Sequence, residues 1–430
     1  MSNLITSAVI SQETLLNFQN SLVVAGNCDW SYNDKFGKDN AQIGNTYSLR
    51  RPVAVTATEN NMAWNASNSV MQETYVTLVI DRSLTVPMSF TDGDLALKME
   101  RFSERFINKA SRQMAAILDA RVMDTISNSS VSTLSATSGL GTSGLLSAQV
   151  GTANAAGYVV GGFQTAVTPA AIMLAKQYLT EVACPDDGEI YGVLSPKAKS
   201  DLNQAQATLF NPLLTIDTVY RAGSIGTYAG IKWSESQSCA THTNGTLATV
   251  AVTSGSLATG WAESATLVVT SSTGLNAGDM LTSATAYLIN PLSKFQTSLK
   301  AQFQVIGVPD STHIVVSPAP IYGGAYKNIS VTVDSTNLTL VGAASGSCVE
   351  SIIFHKTAIA CASPELVVPK KSSMDMAELI KDDEVDGFVL RFLRGFDLIG
   401  ASGAFGGGVG TGGPGMISRF DYIWGVKVTN

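Results

Sequence analysis

The stretch DLALKMERFSERFINKASRQMAAILDARVMDTI, residues 94 to 126, constrains the fold more than any other. Leu95, Met99, Phe102, Phe106, Ala110, Met114 and Ile117 recur at three- and four-residue steps, which places them on one face of a helix. Polar groups fill the other face. Asp92 or Asp94 can accept the orphan N–H groups of the first turn beside Gly93, and Ile126-Ser-Asn-Ser-Ser130 ends the pattern. At 1.5 Å per residue the rod is roughly 50 Å long, more than a compact domain needs. Such a helix must lie along something extended, and it carries almost no candidate chemistry.

The rest of the 430 residues alternate in character. Residues 11–25 (SQETLLNFQNSLVVA) read as a short amphipathic helix led by Ser11, followed by the polar NCDWSYNDKFGKDNAQIGN. That opening is expected to be an arm outside any core. TYSLRRPVAVTAT (46–58) and VMQETYVTLVID (70–81) are two strand-like segments joined by a polar tip, an extended hairpin whose Pro52 keeps its strand at an edge. Residues 128–168 are rich in Ser, Thr, Gly and Ala and specify little. A helix (168–185), a strand (189–196) and a helix entered at Ser195-Pro196 (195–210) then suggest a sheet with helices packed on it.

From about residue 227 to 347 the helical period is lost, and short alternating segments such as TLATVAVT, ATLVVTS and HIVVSPAP follow one another. This predicts an all-β module. SIIFHKTAIACASPEL and GFVLRFLRGFDLIG return to the earlier mixed character, so the module reads as an insertion within a larger domain.

Charged residues make up only 14% of the chain, well under the roughly one quarter usual for soluble proteins. A surface so poor in charge suggests cover by partners. The net charge of −7 and the lack of any basic run argue against tight nucleic-acid binding. Cys28, Cys184, Cys239, Cys348 and Cys361 show no framework spacing, which fits a reducing compartment. The N-terminus lacks a basic and apolar leader, and no run reaches the ~18 to 20 apolar residues of a membrane span.

Candidate chemistry is thin. His242 lies in Cys239-Ala-Thr-His242, half of a metal-finger pattern without its second pair, and is better read as a loop histidine near a chance cysteine. His355 has no carboxylate within sequence reach and reads as structural. His313 sits at an edge of the β module. GAFGGGVGTGGPG (403–415) lacks the Lys-Ser/Thr ending of a phosphate loop and is expected to be a surface loop. KDDEVD (381–386) lacks calcium-loop spacing and is read as a solvated turn or one arm of an intersubunit ion pair.

The order of these parts carries a resemblance. ISQETLLNFQNSLV with NDKFGKDNAQIGNTYSLRRP, FTDGDLALKMERFSERFINKA, LFNPLLTIDTVYRAGSIGTYAGIKW, GLNAGDML, FHKTAIACASPEL and FDYIWGVKV resemble the major capsid (coat) proteins of tailed bacteriophages. The subfamily is the Salmonella-podovirus-like one, with the Hong Kong phage capsid fold and an inserted domain. The resemblance implies an α+β chain: an N-terminal arm (1–45), an extended hairpin loop (46–92), a peripheral domain with the spine helix (93–165), an axial domain beginning at 166–226, an inserted β domain (227–347) and a return through 348–430.

The implied function is self-assembly as pentamers and hexamers into an icosahedral virion shell around double-stranded DNA, without an enzymatic role, cofactor, metal or membrane. Implied partners are further copies of the chain, a scaffolding protein and a portal, with synthesis in the host cytoplasm. Candidate interface residues are Glu59, Asn60, Met62 and Trp64 at the hairpin tip. Arg50 and Arg51, and Glu100, Arg101, Glu104 and Arg105 on the rod, either pair with a neighbour or stay solvated. The alternative is a non-capsid phage structural or receptor-binding β-rich protein, which repeated β domains rather than one insert would signal.

Overall fold

The computed structural model describes residues 16–18, 20–30, 46–50, 75–79, 82–91, 108–128, 133–136, 158–163, 169–181, 183–207, 226–262, 264–362, 377–385, 388–395 and 415–428. The expected rod is helical over Asn108–Asn128 (α1), two residues past its predicted end. Leu95, Met99, Phe102 and Phe106 lie outside the described residues. Ala110 and Met114 are buried as the stripe predicts, but Ile117 is only half-buried and Leu118 takes its place. The buried face centres on Ser111, Leu118 and Val122, which leaves Ile117 at its rim, about 120° around the axis. Burying side chains such as Leu118, Val122 and Met123 stabilises by about 1.5–3 kcal/mol each.

That rotation turns Asp119 inward, where it is 2% exposed. Its Oδ2 accepts the Val23 N–H at 2.9 Å, and its Oδ1 accepts those of Val24 and Ala25 at 3.2 and 2.9 Å. These donors lead into a 3-10 turn over Ala25–Asn27 and have no acceptor within that turn. Burial raises the Asp119 carboxyl pKa in spite of the three donors. The segment expected to be a free arm is therefore partly core: Phe18, Val24, Ala25 and Cys28 are buried against α1. Asn17 adds a hydrogen bond to Asn108 at 2.6 Å.

Among the described residues the strands sort into four sheets. β1 (Thr46–Arg50) and β2 (Tyr75–Val79) pair antiparallel as a two-stranded sheet of their own, in line with the expected hairpin, and buried Leu78 anchors its base. β3 (Arg82–Thr91) pairs on one side only among the described residues, an edge position that suits Pro87, which has no N–H to give. β4 (Thr133–Ala136) and β5 (Tyr158–Phe163) are parallel neighbours in the stretch where the sequence specifies little.

The helix, strand and helix expected next are α2 (Pro169–Glu181), β6 (Ile190–Leu194) and α3 (Pro196–Ala207). Ser195 caps α3, its Oγ accepting the Ala198 N–H at 3.3 Å, with Pro196 in the first turn. β7 (Thr227–Tyr228), β8 (Ile231–Glu235) and β9 (Thr241–Thr243) depart from expectation: they join the mixed sheet rather than the β module. On β6, a Cβ at Gly192 would meet the Trp233 ring at 2.4 Å, so only glycine lets β8 pair there.

The module itself is a closed six-stranded barrel. Its strands are β10 (Thr249–Ser254), β11 (Ala265–Val269), β12 (Met280–Ile289), β13 (Gln296–Asp310), β14 (His313–Ser317) and β15 (Asn337–Leu340), in the order β10-β11-β14-β13-β12-β15. Closure removes edge strands, which suits a surface with little charge to protect them.

β16 (Ser347–His355), β17 (Ile359–Ala362), β18 (Ala377–Val385), β19 (Phe388–Gly395) and β20 (Gly415–Val428) complete the chain. β16 lies between β5 and β6 in the seven-stranded sheet β4-β5-β16-β6-β8-β7 and also pairs with β9. The five-stranded sheet is β17-β20-β19-β18, with β3 on β20. KDDEVD is not a turn: Lys381 to Val385 pair with Phe392 to Phe388 on β19, with Asp382 in register with Arg391. The seven-stranded sheet has two buried faces. Ile352, Phe354 and Val193 join α1 and the N-terminal segment in one core, while Ile353, Ile190 and Leu194 join α2, α3 and the barrel in the other.

Asp119→Ala leaves three N–H groups without their acceptor. It is expected to lower the unfolding free energy by about 3 kcal/mol, with Asp119→Asn intermediate; urea titration of the purified chain checks both.

Candidate functional site

The residues with chemical potential gather at two junctions. At the first, β16 ends at His355, which is buried and caps the 3-10 turn Lys356–Ala358. Its Nδ1 lies 2.8 Å from Thr357 Oγ1 and accepts the Thr357 N–H at 3.4 Å. This pattern assigns the remaining proton to Nε2, which faces Asp187 Oδ1 and Oδ2 at 3.0 and 3.2 Å. The carboxylate that sequence spacing does not supply thus arrives from 168 residues away.

Ligand-capable atoms of Asp187, Glu189 and His355 lie within 4.8 Å of one another. The assigned tautomer presents a hydrogen, not a lone pair, to the carboxylates, and Lys356 Nζ supplies positive charge 3.8 Å from Glu189. The group works as a clamp between the segment entering β6 and the end of β16. The Glu189 N–H first, then His355, hold the Asp187 carboxyl below the usual carboxylate range.

At the second junction, Asp279 is fully buried just before β12. It accepts the Gly245 N–H at 3.0 and 3.1 Å and the Asn276 N–H at 2.7 Å, and lies 3.1 Å from His242 Nε2. His242 sits on β9, in the sheet, and Asp279 on the barrel, so this pair fastens one to the other. The Cys239 thiol donates to the Ser236 carbonyl at 3.3 Å, so Cys239 and His242 are engaged separately. A Cβ on Gly245 would lie 2.1 Å from the Gly274 carbonyl oxygen, which requires glycine where the chain enters the barrel. Asn244 Nδ2 donates to the carbonyls of Val341 and Ala343, tying the entering strand to the leaving one.

Of the interface candidates, Arg50 closes β1 in register with Tyr75. Arg51, Glu59, Asn60, Met62, Trp64, Glu100, Arg101, Glu104 and Arg105 lie outside the described residues, as does the Gly-rich stretch through residue 414. Sequence reasoning missed Asp119, Asp187 and Asp279. Only Asp279 leaves a trace, as the Gly-Asp turn in GLNAGDML.

A carboxyl depressed in the folded state contributes stability that is present above its ordinary value of about 3.9 and is lost as pH falls through its folded value. Asp187→Asn should therefore differ most from the parent chain at neutral pH, with the gap closing on acidification. Urea titrations at a series of pH values check this, and a gap independent of pH would rule out the clamp.

No curated protein matches the sequence. Among solved structures, similarity is seen to one from Mycobacterium phage Che8 (12% identity, TM-score 0.39, 95% of this chain and 87% of that one). A capsid structure of Cyanophage P-SCSP1u is also similar (11%, 0.39, 90% and 81%), as is a CUS-3 coat protein I-domain (20%, 0.19, 22% and 94%). The family described as P22 coat protein, gene protein 5, matches residues 171–392, which is just over half the chain. That match runs through α2, both junctions and the whole barrel into β19, and on it the chain belongs to the P22 coat protein family, the coat proteins of tailed bacteriophages.

Proposed function

We propose that this coat protein assembles as pentamers and hexamers into an icosahedral shell enclosing double-stranded DNA. In this reading α1 is part of the spine of a peripheral domain, residues 166–226 open an axial domain and the barrel is the inserted domain. The observation that carries it is how the barrel is attached. The chain leaves the seven-stranded sheet at β9 and re-enters it at β16, and these two strands pair from Thr243↔Ser347 to Thr241↔Val349. An addition joined through one paired neck leaves the parent fold intact.

Composition supports the same reading. Many weak, low-charge contacts repeated over closed symmetry give a stable assembly from modest interfaces. A net charge of −7 suits a wall that contains DNA without gripping it. A scaffolding protein and a portal are the expected assembly partners, and the host cytoplasm the place of synthesis. The hairpin tip, with Trp64 as its aromatic anchor, is assigned to a neighbouring subunit.

Negative-stain microscopy of the purified chain, alone and with a scaffolding partner, is expected to give closed shells or capsomer rings; a dispersed monomer under both conditions would end this reading. Trp64→Ala is expected to lower the melting temperature of assembled shells while leaving urea unfolding of the monomer within about 0.5 kcal/mol of the parent. An unchanged shell melt would remove Trp64 from the interface.

A further inference from the structure

The two most exposed large apolar side chains among the described residues lie in one short turn. Leu292 and Phe295, 81% and 77% exposed, belong to Asn290-Pro291-Leu292-Ser293-Lys294-Phe295, which joins β12 to β13 at the edge of the barrel. The turn is held at almost every residue. The Asn290 N–H donates to the Phe295 carbonyl at 2.9 Å, and the Lys294 N–H donates to the Asn290 carbonyl at 2.9 Å. Asn290 Oδ1 accepts the N–H groups of Leu292 and Ser293 at 2.9 and 3.0 Å. Its Nδ2 donates at 2.7 Å to the carbonyl of Glu181, the last residue of α2. Lys294 takes a left-handed backbone at φ 59° and sends its Nζ to the Ala325 carbonyl at 2.6 Å. Leu292 and Phe295 are thus displayed on a fixed frame, and a contact at this tip has little backbone left to order.

Charge and the rest of the surface decide what covers the pair. The turn has no carboxylate and its one cation is engaged by Ala325, so the tip is neutral and offers nothing to a phosphate backbone. Among the described residues no other turn carries two large apolar groups so exposed. Leu16, Tyr75, Met173 and Val349 lie on separate elements, and Tyr322 and Val331 at separate points of the connection from β14 to β15. The surface that matches this tip is therefore the same tip on another molecule, and a neutral apolar tip does not repel its own copy. A coat protein has further copies at hand.

We propose that Leu292 and Phe295 of one copy pack against the same two residues of a second copy across a two-fold axis of the shell. The proposal rests on the assembly reading above. Two side chains expose far less than the roughly 800 Å² per partner of a stable interface, so the contact does not hold a free dimer together. It forms where the other contacts of the shell bring two barrels face to face.

The test compares the parent full-length chain with Leu292→Ser/Phe295→Ser and with Phe295→Cys. Both residues are exposed, so the double variant is expected to keep the parent's urea midpoint as a free chain, while its assembled shells melt at a lower temperature. Shells of Phe295→Cys are treated with a short bis-maleimide, digested and read by mass spectrometry. The expected product is the peptide spanning position 295 linked to a second copy of itself, present in shells and absent from the free chain. Parent shells with an unchanged melt in the double variant, or a link from position 295 to any other site, or no link, overturn the proposal and leave the assembly reading standing. A parent chain that forms no shells overturns both. Flotation of the free parent chain with phosphatidylcholine vesicles, lost in the double variant, assigns the tip to a membrane and overturns the proposal as well.

Discussion

Three backbone N–H groups at residues 23–25 find no acceptor in their own turn, and the Asp119 carboxylate supplies one from another element. Much of the architecture on that side follows from this bond set. It fixes the rotation of α1 about its axis and seats Phe18, Val24 and Cys28 in the core. It also leaves Asp29 in position to pair with the chain around β17. Burying a carboxylate is costly, and the three donors are what make it tolerable. The N-terminal segment is thereby a structural link between the helix and the five-stranded sheet.

The chain's few histidines show a common use. His242, His313 and His355 each face an aspartate: Asp279, Asp310 and Asp187. The Asp310 carboxyl is lowered to about 2, first by the Thr312 N–H and then by His313, at the turn between β13 and β14. Two of the pairs sit where separate parts of the fold join, and the third sits at a tight turn. In a chain with 14% charged residues, polar groups are concentrated where geometry has to be fixed.

The legibility of these features divides along a physical line. α2, β6, α3 with its Ser195-Pro196 entry, the β1–β2 pair and the existence of α1 all rest on local periodicity and capping, and each could be read in the sequence. Features set by distant partners could not. Asp187 lies 168 residues from His355, so no spacing rule connects them. Asp119 was legible only as a polar residue on a helix, because apolar periodicity says nothing about a backbone donor arriving from residues 23–25. The strands at 227–243 alternate as barrel strands do, and a period of two identifies a strand without identifying its sheet. The charges of KDDEVD hid β18, because the strand that sets Arg391 opposite Asp382 and Arg394 opposite Glu378 comes later in the chain. Of the interface candidates only Arg50 is among the described residues, so the sequence reading of that surface stands as an expectation.

β16 also carries a form of redundancy. Ile352 and Phe354 serve one core and Ile353 the other, so the strand is read from both sides at once. A slip of one residue would exchange the two sets and disturb both cores together. A strand with one solvated face is checked once, whereas this one is proofread by two independent packing environments. The hydrogen-bond register that returns the chain from the barrel is thereby protected against misalignment from either side.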